Sequence, residues 1–166
     1  MEKQKILRII DANLNRSREG LRVCEDIVRF LLDDAESALR LKKARQSIFT
    51  AVKTSGIPYE QLLEKRNSNE DVGKQTTKSE QRRPDWQSVF LANIERAKEA
   101  LRALEECSKI INKKLGEKFK KIRFVIYAIE KEIIIKHKSL SGGKHHSARH
   151  GEFKLPPKPA GLKGRA

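Results

Sequence analysis

Guanidinium, carboxylate and amide side chains recur in this chain at one helical spacing, and the whole pattern occurs twice. The first copy reads Ala12-Asn13-x-x-Arg16-x-x-Glu19-x-Leu21-Arg22-x-x-Glu25. It returns 80 positions later as Ala92-Asn93-x-x-Arg96-x-x-Glu99-x-Leu101-Arg102-x-x-Glu105. Seven positions are identical, and five of those are charged or carry an amide. A duplication kept for packing alone would hold its apolar residues and let the polar ones drift. The retained Asn, Arg and Glu are therefore the first residues to consider for chemistry. A guanidinium fork matches the oxygens of a phosphate. Carboxylates can bring Mg²⁺ to phosphate oxygens.

Two further arginines come from the helix that follows each copy. Lys42-Lys43-Ala44-Arg45 corresponds to Lys120-Lys121-Ile122-Arg123, here at an offset of 78. Arg123 lies in a mostly apolar run, so its charge must be paired with Glu105, Glu25 or a ligand phosphate. This assigns Arg16, Arg96, Arg45 and Arg123 as candidates for neutralising charge at a reacting phosphate. Asn13, Asn93, Arg22 and Arg102 are candidate binding residues, joined by Arg66, Asp71 and Gly73 in a central polar stretch. Gly73 would let backbone amides approach a phosphate. Glu25 and Glu105 are the candidate Mg²⁺ ligands. Glu19 and Glu99 are better explained by i,i+3 pairing with Arg22 and Arg102. An Arg–Glu network that only locks helix register would use the same residues.

Asn13, Ser17, Gly20 and Cys24 fall on one helical stripe, matched by Asn93, Ala97, Ala100 and Leu104. Two readings stay open. The small residues could leave a pocket between helices beside each amide, or they could let two helices pack tightly, each Asn bonded to nearby backbone.

The elements that must position these residues are helices. Apolar residues recur at helical spacing from Ile6 to Leu31, predicting one helix over 3–32. Asp33-Asp34 supplies a turn and an N-cap for a second helix over 35–53, ending near Gly56 and Pro58. After the polar stretch at 66–83, Pro84 suits a first helical turn, with Asp85 favourable beside the positive helix end. This third helix runs to about Asn112. Gly116 is expected to break it, with a fourth helix over 117–137. The fold class is all-α: a four-helix bundle made of a duplicated helical hairpin, with an approximate internal twofold, over residues 1–138.

Residues 139–166 are rich in Gly, Pro, Lys and His and carry six basic residues against one acidic. They hold five of the fifteen surplus positive charges of the 166-residue chain. Such a segment lacks the apolar surface to offset its ordering, and a disordered tail is expected. Three histidines there, His145, His146 and His150, are more simply solvated than metal-bound. The positive balance favours anionic partners. Two cysteines give no disulfide framework, and no apolar run is long enough for a membrane span. A cytoplasmic protein is expected.

The motif from Ile9 to Asp26 resembles the small all-helical hydroxymethylpyrimidine-phosphate kinases of bacterial thiamine biosynthesis, found alone or fused to thiamine-phosphate synthase. Arg66 with Asp71-Val72-Gly73, the second copy from Ala92 to Glu106, and Arg123-x-x-x-Tyr127-x-x-Glu130 follow in matching order. The resemblance implies phosphorylation of the pyrimidine monophosphate to its diphosphate, for coupling to a thiazole phosphate. It implies ATP and Mg²⁺ as cofactors, and thiamine-phosphate synthase as a partner. A homodimer is compatible with it. The alternatives are a basic helical nucleic-acid-binding protein and a non-catalytic module that binds the synthase. Interleaved acids and only 5% aromatic residues argue against the first, except for weak RNA binding by the tail.

Overall fold

The computed structural model describes residues 2–64, 66 and 83–140. Asp71, Gly73 and the tail beyond Leu140 lie outside the described residues. Four long helices form the bundle: α1 (Glu2–Phe30), α2 (Ala35–Lys53), α4 (Trp86–Ile111) and α5 (Lys113–Lys136), with a short α3 (Tyr59–Glu64) between the halves. Helix α1 packs against α2 and α4, and α5 closes the bundle against the same two. Their apolar stripes meet in one core that includes Ile10, Leu21, Leu41, Ile48, Phe90, Ile94, Leu104, Phe119 and Ile126.

Helices α2, α4 and α5 begin where the sequence supplies a cap. After α1 the chain turns through Asp33, at φ 51°, and Asp34 caps α2 by accepting from the Ser37 backbone N–H at 3.1 Å. Asp85 does the same for α4, accepting from Ser88 N–H at 2.7 Å, so Pro84 lies before the cap rather than in the first turn. The break between α4 and α5 falls at Asn112, not at the expected Gly116. Asn112 ends one helix and caps the next, accepting from Leu115 N–H at 3.2 Å. Gly116 sits inside α5 because a β-carbon there would lie 2.8 Å from the Glu105 carbonyl oxygen. It permits a close helix crossing and breaks nothing.

Two features were not expected from sequence. Helix α3 has only six residues, too few to display an apolar period, yet it seats Leu62 fully in the core. The folded body also runs past 138: Lys138–Leu140 form a 3₁₀ turn that buries Leu140.

The two halves are related by a twofold exchange. Arg40 of α2 pairs with Glu132 of α5, and the equivalent residues exchange roles, since Lys118 of α5 donates to Thr54 of α2 at 2.8 Å. Subtracting the offset of 78 turns 118 into 40 and 132 into 54. Only a rotation that swaps the hairpins produces such reciprocity.

Candidate functional site

The small-residue stripe is a packing seam. Gly20 of α1 lies so close to α4 that a β-carbon would sit 2.7 Å from the Asn93 carbonyl oxygen and 3.5 Å from Ala97 Cβ. The amides turn back on their own helices: Asn13 Nδ2 donates to Ile9 O at 2.9 Å, and Asn93 Nδ2 to Val89 O at 2.8 Å. The Asn93 backbone thus lies in a tight α1–α4 contact, and both Asn side chains are bonded to their own helices. Cys24 continues the seam. Burial pushes its thiol far up from the usual range, with the Glu130 charge adding to the effect, and its sulfur donates to Phe90 O at 3.6 Å.

The repeated Glu and Arg residues form two equivalent clusters. In the first half, Glu25 is buried and accepts from Arg45 Nε at 3.0 Å and Nη2 at 2.9 Å, with Arg22 Nη1 on its other oxygen at 3.5 Å. In the second, Glu105 accepts from Arg123 Nη2 at 2.7 Å and Nε at 3.1 Å, with Arg102 Nη1 on the other oxygen at 3.0 Å. Arg123 also donates to the Tyr127 hydroxyl at 2.7 Å. The hydrogen bond to Glu105 raises the Arg123 pKa against the opposing effect of burial. A cation at either glutamate would compete with two guanidinium groups for its oxygens, and that donor set suits Mg²⁺ poorly. Among the described residues, no group of three or more His, Cys, Asp or Glu side chains could hold a metal.

A third pair belongs to the first half alone. Arg66 grips the buried Asp11 with two parallel bonds of 2.8 Å, and this bidentate contact raises the Arg66 pKa. The position equivalent to Asp11 in the second half is Leu91. Arg16 and Arg96 lie exposed on α1 and α4 and join neither Glu cluster.

A cavity of about 470 Å³ opens beside the first cluster, lined by Asn15, Arg18, Glu19, Arg22, Val23 and Arg45. Arg18 stands at its edge with its guanidinium 5.4 Å from the Phe49 ring centre, and Phe49 meets Tyr59 of α3 edge to face at 6.1 Å. Sequence reading missed Arg18, Phe49 and Tyr59 because it followed identities between the copies. The available signal was a difference: Arg18 and Phe49 correspond to Lys98 and Tyr127. A larger cavity of about 740 Å³ between α2 and α5, rimmed by Lys43, Lys118 and Lys121, contains none of the expected site residues.

Fold and site together define a class: an all-α duplicated hairpin whose polar residues are organised around buried carboxylate–guanidinium pairs. Within it, the chain belongs to the ThiD2 family, whose pattern matches residues 8–132. Among its relatives is a thiamine-phosphate synthase of Synechocystis sp., 39% identical over 132 residues, which cover 78% of this chain and 36% of the relative. A thiamine-phosphate synthase of Rhodopirellula baltica is 38% identical over 136 residues, covering 81% and 36%. One from Nostoc sp. is 34% identical over 165 residues, covering 97% and 45%. The chain thus spans a little over a third of the length of the Synechocystis and Rhodopirellula relatives. No solved structure matches it.

These relationships connect the chain to thiamine biosynthesis and correct one expectation. The resemblance implied a hydroxymethylpyrimidine-phosphate kinase, but the relatives carry the name of a different enzyme, thiamine-phosphate synthase. Among the described residues, no helix is long and apolar enough to cross a membrane.

Proposed function

We propose that this chain serves thiamine biosynthesis as a helical partner module of thiamine-phosphate synthase, holding a phosphorylated pyrimidine for the coupling reaction. The observation that carries this reading is the joint one of kinship and extent. The matched segment is a module-sized portion of relatives named for the synthase, and their remaining length lies outside it. The chemistry of the module agrees. Arg22, Arg45, Arg102 and Arg123 are held in fixed orientations by buried carboxylates, and each guanidinium carries five N–H donors. Arginines oriented in advance lose less conformational entropy when they bind a phosphate. The surplus of positive charge favours approach of such ligands.

The test adds this chain to the remaining segment of a relative's synthase and measures the rate of coupling of pyrimidine diphosphate to thiazole phosphate. The expected result is a lower KM for the pyrimidine substrate and co-migration of the two proteins. No change in KM together with no complex between them overturns the proposal.

A further inference from the structure

The two halves share a frame but differ in how they neutralise one cation, and we infer that only the first half holds an anionic ligand. The proposed site is the Arg18–Arg22–Arg45 cavity, and its ligand class is a phosphate or diphosphate ester of an aromatic ring. In both halves a cation lies over an aromatic ring. Arg18 sits 5.4 Å from the Phe49 centroid, and Lys98 sits 5.6 Å from that of Tyr127. These are equivalent positions of the repeat.

Their surroundings are opposite. Lys98 donates to Glu95 at 2.6 Å and to both oxygens of Glu130 at 2.7 and 2.8 Å. Burial lowers its pKa, but the two carboxylates outweigh burial and leave it raised. The repeat offsets of 80 and 78 place Asn15 where the second half has Glu95, and Val52 where it has Glu130. Neither can neutralise Arg18, and among the described residues no carboxylate makes an ion pair with it. The second half satisfies its cation internally, whereas the first leaves its cation facing a cavity.

That cavity is lined by three arginines and one glutamate, Glu19. Glu25 bonds to Arg22 and Arg45, and Asp26 bonds to Arg22, so Arg18 is the arginine of this lining that no carboxylate among the described residues pairs. Glu25 holds Arg45 and Arg22, Asp26 takes Arg22 Nε at 3.1 Å, and each guanidinium retains N–H donors beyond these. Arg18 links the cavity to the aromatic pair Phe49 and Tyr59, both partly exposed. Tyr59 comes from α3, and the offset of 78 places His137 at its equivalent position. Phosphate on the arginines and a ring against this wall is the arrangement that a phosphorylated aromatic heterocycle would use.

The inference deepens the reading that this module holds a phosphorylated pyrimidine and rests on it for the ring. The anion site is tested separately. The intact chain is titrated calorimetrically with inorganic pyrophosphate at low salt, alongside Asn15→Glu, Arg18→Gln and Lys98→Gln, with helix content checked by circular dichroism. Asn15→Glu places a carboxylate three residues before Arg18, as Glu95 stands before Lys98. The expected result is one pyrophosphate per chain, weakened at least about ten-fold by Asn15→Glu and by Arg18→Gln and unchanged by Lys98→Gln. Two equivalent sites overturn the inference. So does wild-type affinity in both Asn15→Glu and Arg18→Gln, or an equal loss in Lys98→Gln. Binding that follows the expected pattern while the synthase KM stays unchanged would leave this site standing and remove only the partner role.

Discussion

A repeated polar residue need not be a ligand residue, and Arg123 and Gly20 show why. Arg123 is equally motivated by a phosphate and by a carboxylate while only its sequence is known. The structure supplies Glu105, with side chains 10% and 3% exposed. Removing one member of such a pair strands the other, so Arg123→Gln should cost about 3 kcal/mol, at the low end of the usual range because Arg102 still reaches Glu105. Arg45→Gln should cost less, since Arg45 is 19% exposed and water can replace it more readily. Urea denaturation of the two variants measures the difference; equal small losses would show that the pairs do not stabilise the fold. Gly20 gives a sharper sign. Ala normally stabilises a helix interior relative to Gly by about 0.5–1 kcal/mol. Here the added methyl would meet α4 backbone at 2.7 Å, so Gly20→Ala should destabilise by about 1–3 kcal/mol. A raised melting temperature would contradict the close α1–α4 seam.

At the level of elements, one carboxylate ties the start of α2 to the end of α5. Asp34 caps α2, accepts from the Ser37 hydroxyl at 2.8 Å, and meets His137 Nε2 at 2.9 Å and Lys136 Nζ at 3.0 Å. Burial alone would raise its pKa. The hydrogen bonds from His137, Ser37 and Lys136 outweigh burial and hold the carboxyl well below its ordinary value of 3.8. A group whose folded pKa is depressed contributes its stability in full above the unfolded value and loses it as pH falls toward the folded one. The wild type should therefore lose stability steeply below about pH 4. Asp34→Asn keeps a capping side chain without the charge. It should melt lower than wild type near neutrality, and the gap should close as pH falls from 4 toward 2. A gap independent of pH would mean that capping geometry alone stabilises this junction.

For the molecule as a whole, the duplication made much of the architecture legible. Apolar period and caps located four helices, Asp34 was readable as a cap, and the paired motifs implied a twofold. What stayed hidden depended on tertiary contact. Gly116 has poor helix propensity, but packing against Glu105 overrides it. For Asn13 and Asn93 the sequence left a pocket and tight packing open, and only the helix separation shows how little room lies beside Gly20. Arg18 was overlooked because attention followed the positions identical in the two copies, and Arg18 stands opposite Lys98. The end of the folded body was also misplaced, because Leu140 contributes one apolar residue with no periodic neighbours. It is nevertheless only 2% exposed, and His137 three residues earlier binds Asp34. This separates two truncations that sequence alone treats as alike. A chain ending after Leu140 should keep the wild-type melting temperature, because every contact described in the body is retained. A chain ending after Lys136 loses both the His137 bond and the buried Leu140 side chain. It should be less stable by about 2–4 kcal/mol, combining a lost charged hydrogen bond with loss of most of one buried leucine. Thermal melts of the two chains decide the point. Equal stability would place the end of the folded unit at α5, and a large loss from the Leu140 truncation would assign residues beyond it a packing role.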